Sequence, residues 1–277
     1  MQDERDTELT NSDLPEIVRK IRARTPARLL VGRAGAAYRT KTQMELREAH
    51  AAARDAVRGE LNPAQSLGSA FLERWKLVEA RTKAGSKDDY LLRPDLGRHL
   101  DDRSRADIQS RCSPGCDLQI AIGDGLSVAA IGAQVPPLLP LIFERAKDRN
   151  WKIGQTLLVH YCRVGLLNEI GEILSPRVVV MLIGERPGLA TAESLSAYLA
   201  YRPCDSHTDA DRNVISNIHA RGLSPQEAAD RIVNFAAQMM KAEISGYQLK
   251  EESPALVIGS GRNAKLHRAV PELNSSN

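Results

Sequence analysis

Three apolar, β-branched runs of the sequence each end in polar residues beside a glycine. The runs are DLQIAIGDG at 117–125, QTLLVHYCRVG at 155–165 and RVVVMLIGERPG at 177–188. Continuous apolar runs of this kind are typical of strands buried on both faces of a parallel sheet. In open α/β sheets, ligands bind just outside the carboxyl ends of such strands. We therefore expect Glu185 and Arg186 to stand at the mouth of a ligand site, at the same edge of the sheet as the exits of the other two runs at Gly123–Gly125 and Arg163–Gly165.

Asp124 lies in GDGLS at 123–127, where a strand is expected to turn into a helix. The N-terminus of a helix offers free N–H groups that can hold a phosphate, but a carboxylate at this point would repel one. Asp124 is better suited to accept hydrogen bonds from amides or hydroxyls. It could equally cap the helix that follows, and the sequence favours the two roles about evenly.

Two other motifs lack a residue that their chemistry requires. GRAGAAYRTKT at 32–42 has no glycine directly before Lys41, so it predicts a structural turn and not a phosphate-binding loop. The segment DSH ending at His207 would begin the corrinoid-binding motif Asp-x-His-x-x-Gly, in which the histidine becomes a cobalt ligand. The glycine position is Ala210, which predicts an exposed loop histidine instead.

The cysteines and histidines predict neither a metal site nor a catalytic triad. Cys112 and Cys116 form a C-x3-C pair, with no second pair and no histidine at zinc spacing, and we expect reduced thiols. The chain has no G-x-S-x-G elbow to carry a nucleophile. With no independent catalytic constellation, the residues point to a binding subunit.

Composition excludes several classes of protein. The 277 residues are enough for one large domain or two modest ones. The 38 basic and 35 acidic residues leave a net charge of +3 and are spread along the chain, which argues against a nucleic-acid binder. No apolar run approaches the length of a membrane span, and the charged start MQDERDTELTNSD is no secretory signal. We expect a cytoplasmic protein without a membrane or nucleic-acid partner.

Alternating periodicities predict the elements that hold the site. Strands are predicted at 117–123, 155–161, 177–183, 194–203 and 213–219. Helices are predicted from residue 13 to just before Pro26, at 42–57 and 93–112, from DGLSVAAIG (124–132) on through 136–150, and at 165–174 and 223–246. A short strand or turn is predicted at 27–35, a short helix or strand at 70–82 and a loop at 58–69. We predict an α/β, Rossmann-like fold, with a mainly parallel sheet flanked by helices and a helical N-terminal extension. The predicted units are an N-terminal docking segment (1–90), an α/β domain (91–249) and a flexible tail (250–277).

Helix-capping residues refine these bounds. Thr42 and Glu45 have the spacing of a capping box, as do Ser224 and Glu227 at the start of the last predicted helix. Gly246 is expected to close that helix.

The longer motifs resemble one family. They are VGRAGAAYRTKTQMELREAHAAARDAV, YLLRPDLGRHL, LQIAIGDGLS, GERPGL, ESLSAYLAYRP and ADRNVISNIHARG, in this order over residues 28–246. Together they closely resemble the small, or light, subunit of ethanolamine ammonia-lyase. The combination of GERPGL, ISNIH and DGLS is specific, although no single piece is.

The resemblance implies a function and a set of contacts. Such a subunit covers adenosylcobalamin at the interface with a large TIM-barrel subunit, which carries the catalytic residues that convert ethanolamine to acetaldehyde and ammonia. The family's cofactor contacts transfer to Val164 in YCRVG, Glu185 in GERPG and Val214 in ADRNVISN. Some relatives carry cysteine at this last position, so valine implies a backbone or van der Waals contact. A higher hetero-oligomer, in the cytoplasm or a bacterial microcompartment, is also implied.

Two other functions remain open at this point. A self-contained α/β enzyme could bind a nucleotide at the same sheet edge, although the chain lacks G-x-G-x-x-G. A structural adaptor subunit could use the edge glycines for packing alone.

Overall fold

A computed structural model describes residues 15–25, 27–29, 31 and 33–251. The helices are α1 (Glu16–Ala23), α2 (Thr40–Arg58), α3 (Pro63–Leu67), α4 (Ser69–Trp75), α5 (Lys87–Leu92), α6 (Asp102–Arg111), α7 (Val128–Asp148), α8 (Leu166–Leu174) and α9 (Pro225–Ala242). The strands are β1 (Arg33–Ala34), β2 (Ala37–Tyr38), β3 (Val78–Arg81), β4 (Leu118–Gly123), β5 (Leu157–His160), β6 (Val178–Gly184), β7 (Leu195–Tyr201) and β8 (Asn213–Ile218).

Strands β3 to β8 form one mixed sheet in the order β3-β5-β4-β6-β7-β8. The first four are parallel, whereas β7 runs antiparallel to β6, and β8 antiparallel to β7. The prediction of α/β architecture is confirmed, but that of a mainly parallel sheet is wrong. Residues 185–194, between β6 and β7, hold no helix, and parallel strands need a longer crossover than this.

Helices cover the two faces of the sheet unequally. Helices α7 and α9 pack on one face, where they bury alternate side chains from β4, β6, β7 and β8. On the other face, α6 and α8 pack over β3 and β6, and their cluster takes the opposite set of side chains. On this second face, Ser196 and Ala200 of β7 are buried and Tyr198 is half-buried, whereas Val214 and Ser216 of β8 are exposed.

Capping chemistry decides most helix ends. The Ser224–Glu227 capping box is present and begins α9, as predicted. The other two predictions are wrong. Helix α2 begins before Thr42, with Arg39 as its N-cap, and α9 ends at Ala242, followed by a left-handed Glu243.

The region before β4 differs most from expectation. A single helix over 93–112 is wrong: a 3-10 turn at Leu96–Arg98 precedes α6, which starts afresh because the Asp101 side chain accepts the N–H of Ser104. The predicted loop at 58–69 contains α3, capped by Asn62. The stretch 70–82 contains both most of α4 and all of β3.

Strand β3 pairs with β5 at the edge of the main sheet, so part of 1–90 contributes to the α/β unit. The division of the chain at residue 90 stays a prediction. Residues 1–14, with the predicted cap Asp13, and the tail from 252 onward lie outside the described residues. Among the residues that are described, every helix is too short or too polar to cross a bilayer.

Candidate functional site

The carboxyl ends of β4 and β5 would ordinarily form the ligand crevice, but α5 fills it. Lys87 and Tyr90 of α5 are 5% and 1% exposed. The Lys87 ammonium donates to the carbonyl of Gly125 at 3.2 Å, and the Tyr90 hydroxyl donates to the carbonyl of Cys162 at 3.1 Å. The guanidinium of Arg163 stacks 4.1 Å from the centre of the Tyr90 ring. The chain itself therefore occupies the space where a dinucleotide would lie.

Asp124 lies in the same filled crevice as Lys87, Tyr90 and Arg163, and it does not cap α7. Its carboxylate accepts the backbone N–H groups of Tyr161 and Cys162, both at 2.8 Å, and the residue is fully buried. Burial raises the pKa of this carboxyl, while the positive charge of Lys87 opposes the rise. Asp124 thus ties the exit of β5 to the exit of β4. The expected hydrogen bonds from amides exist, but the amides belong to the chain.

Tyr161 needs this support because its backbone is left-handed, with φ at 58°. A non-glycine residue in this region is strained. The two hydrogen bonds that the turn donates to Asp124, and the bond from Arg163 N–H to the Gly97 carbonyl, hold the turn. The turn delivers Val164, which is half-buried against the α6–α8 cluster.

Glu185 directly follows β6 and lies outside the crevice that α5 fills. One carboxylate oxygen accepts the Ser196 hydroxyl at 2.5 Å and the Asn217 N–H at 3.1 Å, and the other accepts the Ser194 hydroxyl at 2.7 Å. Ser194 directly precedes β7, Ser196 lies on β7 and Asn217 lies on β8. The carboxylate is therefore held in one orientation, half-buried, at the sheet edge.

Val214 lies on the second face of β7 and β8, which we call the open face. The open face consists of Ser196, Tyr198, Val214 and Ser216. Ser196 and Ser216 are joined by their hydroxyls at 3.1 Å, and Val214 is opposite Tyr198 in the strand register. Val214 is 46% exposed, which is high for a valine within a strand.

Tyr198 connects the three residues that the sequence singled out. Val214 is its cross-strand partner. Val164 and Tyr198 both pack, half-buried, against the α6–α8 cluster. Partial burial raises the pKa of Tyr198, and the negative charge of Glu185 raises it further. The structure thus places Glu185 and Val214 beside Tyr198, whereas Val164 shares with Tyr198 only the α6–α8 cluster against which both pack.

Sequence reasoning missed Tyr198 and the serines that hold Glu185. They are hidden in SLSAYLAY at 194–201, which looks like an ordinary buried strand. A signal was present, because Ser196 and Tyr198 alternate with Leu195, Ala197 and Leu199, and alternation separates the two faces of a strand.

The motifs set aside as structural have ordinary positions. The segment around Lys41 contains the β1–β2 hairpin, in which Gly35 has a positive φ of 60°. His207 is half-buried rather than exposed, and its carbonyl accepts a bond from Asn168. Cys112 and Cys116 are buried and unpaired. In the described part of the chain, no group of His, Cys, Asp and Glu could hold a metal ion.

Comparison with known proteins shows the family. The family model "Ethanolamine ammonia-lyase light chain" matches residues 15–250. The chain belongs to the ethanolamine ammonia-lyase light-chain family. Small subunits of ethanolamine ammonia-lyase from Clostridium perfringens, Rhodopseudomonas palustris and Clostridium acetobutylicum are 41%, 40% and 38% identical to it. The matches cover 83%, 85% and 85% of this chain and 76%, 90% and 95% of the relatives.

The light-chain match includes the described elements from α1 to α9 and thus the whole open face. The resemblance inferred from the sequence motifs is confirmed at the level of the family.

Proposed function

We propose that this chain is the small subunit of an adenosylcobalamin-dependent ethanolamine ammonia-lyase, and that it contacts the cofactor through the open face and the adjoining strand exits. The observation that carries the proposal is that Glu185, held by Ser196, and Val214 lie beside Tyr198 on the antiparallel strands. Packing alone does not explain this arrangement, since Val214 leaves much of its apolar surface in solvent.

The open face has the chemical character that a corrin requires. A corrin is a broad apolar disc with amide arms. Val214, Val164 and Tyr198 offer apolar and aromatic surface, and burying that surface is favourable by about 25 cal/mol per Å². The α6–α8 cluster reaches Tyr198 of β7 but leaves Val214 and Ser216 of β8 exposed in the free chain.

Glu185 fits an amide arm. A carboxylate has two oxygens with about four acceptor sites in all. Three are used by Ser194, Ser196 and Asn217, which leaves one acceptor site on the oxygen bound to Ser194. Because the neighbours fix the orientation, Glu185 can accept an amide N–H without rearranging.

The chain's part in the reaction is to bind and to shield. When bound, adenosylcobalamin supplies a carbon–cobalt bond whose homolysis starts the conversion of ethanolamine to acetaldehyde and ammonia. Cofactors of this class carry the difficult chemistry, while protein supplies orientation and exclusion of water. The open face would hold one side of the disc dry, and Glu185 would fix its rotation. We assign the catalytic residues to the large subunit.

Residues 16–58 are proposed as a docking arm for the large subunit, a TIM barrel. Helix α2 is 19 residues long and has no buried residue, and α1 has none either. Ile17 and Met44 are 64% and 58% exposed, so the described part of the chain leaves apolar surface of the arm uncovered. We also propose a higher hetero-oligomer in the cytoplasm or a bacterial microcompartment, and a Rossmann-like ancestry for the four parallel strands.

The nucleotide-enzyme alternative is disfavoured by α5, because Lys87 and Tyr90 fill the crevice that it needs. The adaptor alternative makes a different prediction from ours. Val164 and Glu185 would then be replaceable without loss of cofactor affinity.

Reconstitution tests the proposed function. The chain is co-purified with the large subunit of the enzyme from Clostridium perfringens, whose small subunit is 41% identical to this chain, and ammonia release from ethanolamine is measured with and without adenosylcobalamin. We expect release only from the complex with the cofactor. A complex that forms but neither binds cobalamin nor releases ammonia would contradict the proposal.

A further inference from the structure

A polar cavity of about 450 Å³ opens beside the open face. It is lined by residues of four segments: Arg98 and His99, Arg105 on α6, Gly165 with Asn168 and Glu169 on α8, and the stretch Asp205–Arg212 before β8. Gly165 directly follows Val164, and Arg212 lies two residues before Val214. The charges of Asp209 and Arg212 also act on Tyr198, so the cavity and the open face are neighbours.

The charges in the cavity are incompletely paired. The guanidinium of Arg105 donates to Glu169 at 2.7 Å, and that of Arg212 pairs with Asp209 and donates to the Asn168 side chain at 3.2 Å. Arg98 is the third guanidinium, and in the described part of the chain it has no hydrogen bond or ion pair. Asp205 also lines the cavity, but it is exposed and pairs with none of the three arginines. The three arginines equal the three carboxylates of the lining in number, but Arg98 is the one guanidinium without a carboxylate partner among the described residues and is therefore the group that an anion could meet.

Arg98 and Arg212 are close enough to repel. Burial lowers the pKa of Arg212, whose side chain is 5% exposed, and the positive charge of Arg98 lowers it further. Arg98 lies flat across Gly165, where a Cβ atom would come within 2.9 Å of its Cγ. The absence of a side chain at Gly165 therefore lets Arg98 reach the N-terminal end of α8, where the helix dipole also favours an anion.

Two polar atoms in the lining have no hydrogen-bond partner among the described residues. They are Nε of Arg212 and Nδ1 of His207, and both are buried. Buried donors without partners are uncommon in native proteins and mark places where a water or a ligand completes the structure. The cavity therefore lacks a polar occupant.

We propose that Arg98 and Arg212 bind the phosphodiester of cobalamin's nucleotide tail. The phosphodiester is the one formally anionic group of the tail, and guanidinium groups pair with phosphate oxygens through charged hydrogen bonds. The inference rests on the proposed function, since it places the tail beside a corrin on the open face. An inorganic phosphate offers the same chemistry and is the competing source.

The test uses the complex with the large subunit and compares two cobalt corrinoids. Cyanocobalamin has the phosphodiester, and dicyanocobinamide lacks it together with the ribose and base. Dissociation constants are measured by equilibrium dialysis for the unmodified complex, for Arg98→Gln, and for the matched control Arg103→Gln. Arg103 is an exposed arginine of α6 outside the cavity. Phosphate binding to the chain is measured separately by calorimetry.

We expect Arg98→Gln to weaken cyanocobalamin binding about 10-fold or more, which is the worth of one charged hydrogen bond. It should leave dicyanocobinamide binding unchanged, and Arg103→Gln should change neither. Added salt should weaken cyanocobalamin binding more in the unmodified complex than in Arg98→Gln, because salt screens the pair between Arg98 and the phosphodiester, which the variant lacks.

Other outcomes separate the inference from the proposed function. Equal weakening of both corrinoids, or none, overturns the phosphodiester site and leaves cobalamin binding intact. Unchanged affinity for both corrinoids, together with phosphate binding that Arg98→Gln removes, assigns the cavity to free phosphate and also overturns the inference. Failure of the unmodified complex to bind either corrinoid overturns both the phosphodiester site and the proposed cobalamin-binding function.

Discussion

At the scale of single residues, Glu185 combines fixed geometry with unused bonding capacity. Three donors from two neighbouring strands and the loop before them hold its carboxylate, so that an incoming amide meets an acceptor that is already oriented. Val214 and Tyr198 contribute surface, and neither has to titrate or react. This division suits a subunit that binds a cofactor and leaves the reaction to its partner.

Replacing Glu185 by alanine should weaken cobalamin binding. An amide left without its acceptor costs about 1–3 kcal/mol, or roughly 5- to 150-fold in the dissociation constant. The rate at saturating cofactor should change less, because the chemistry lies on the other subunit. Titration of adenosylcobalamin against the variant complex measures the shift, and Glu193→Ala, an exposed glutamate of the same loop, is the control. An unchanged half-saturation point would remove Glu185 from the site.

Val214→Lys should abolish most cobalamin binding without destabilising the chain. Val214 is 46% exposed on an edge strand, so a lysine there finds solvent in the free subunit. In the complex the same charge would have to be desolvated against a corrin, which is unfavourable. Thermal unfolding of the free chain and cyanocobalamin binding by the complex give the two readouts, with Leu92→Lys, at an 80% exposed position, as the control. Normal affinity in Val214→Lys would place the cofactor elsewhere.

At the scale of elements, the turn after β5 is held from two sides. The Asp124 carboxylate accepts the N–H groups of Tyr161 and Cys162. Tyr90 of α5 makes two further bonds to the turn: its hydroxyl donates to the Cys162 carbonyl, and its carbonyl accepts the Arg163 guanidinium. This arrangement fills the crevice between parallel strands and stiffens the segment that carries Val164. The ligand surface therefore lies beside the parallel part of the sheet, on its antiparallel strands.

Asp124→Ala should be strongly destabilising. The substitution leaves two buried N–H groups without an acceptor, at about 1–3 kcal/mol each. It also removes the negative charge that stabilises the buried ammonium of Lys87. Urea denaturation of the free chain gives the change in the free energy of unfolding. The control Asp148→Ala, at an exposed helix end, should stay within about 0.5 kcal/mol of the unmodified chain. A comparably small change for Asp124→Ala would show that the turn does not depend on it.

His160, the last residue of β5, should make stability depend on pH. Burial lowers its pKa, with Arg81 adding to the effect and the charges of Asp124 and Glu79 opposing it. The unfolded chain, with a histidine pKa near about 6.5, then binds more protons than the folded chain between the two values. Stability is accordingly lost as the pH falls through this window.

The unmodified chain should therefore lose more unfolding free energy between about pH 7 and about pH 5 than His160→Gln does, since histidine titrates in this range. Urea denaturation across that range measures both, and His50→Gln, an exposed histidine on α2, should behave like the unmodified chain. Parallel pH profiles for the chain and His160→Gln would refute the assignment.

At the scale of the whole molecule, the chain has one closed side and two open surfaces. Helices α7 and α9 seal one face of the sheet, while the open face and the arm at 16–58 leave apolar side chains in solvent. Exposed apolar surface of this kind marks sites of interaction. A binding subunit with one surface for a cofactor and another for a protein partner fits this arrangement.

Deleting residues 1–57 should abolish co-purification with the large subunit. Helices α1 and α2 have no buried residue, so the arm contributes little to the core and its removal should leave the α/β unit folded. Size-exclusion chromatography of the co-expressed subunits measures complex formation, and circular dichroism checks the fold. Full-strength association of the truncated chain would show that the arm is not the docking segment.

The alternation of apolar runs and amphipathic segments determined β4, β5, β6, α8 and α9 within a few residues of their positions, because burial on one or two faces leaves a periodic record in the chain. The motifs also determined the family. Strand direction could not be read in the same way, since β7 looks like a parallel strand until residues 185–194 are seen to return it antiparallel.

Only the tertiary structure decided which strand exits are filled and which are open. Asp124 and Glu185 are both acidic residues at the ends of apolar runs, yet one is sealed beneath α5 and the other faces the open side of the sheet. The cavity of Arg98 and Arg212 brings together residues from distant parts of the chain. Sequence periodicity records whether a residue is buried, but not which distant segment buries it, because that contact is set by how the layers pack.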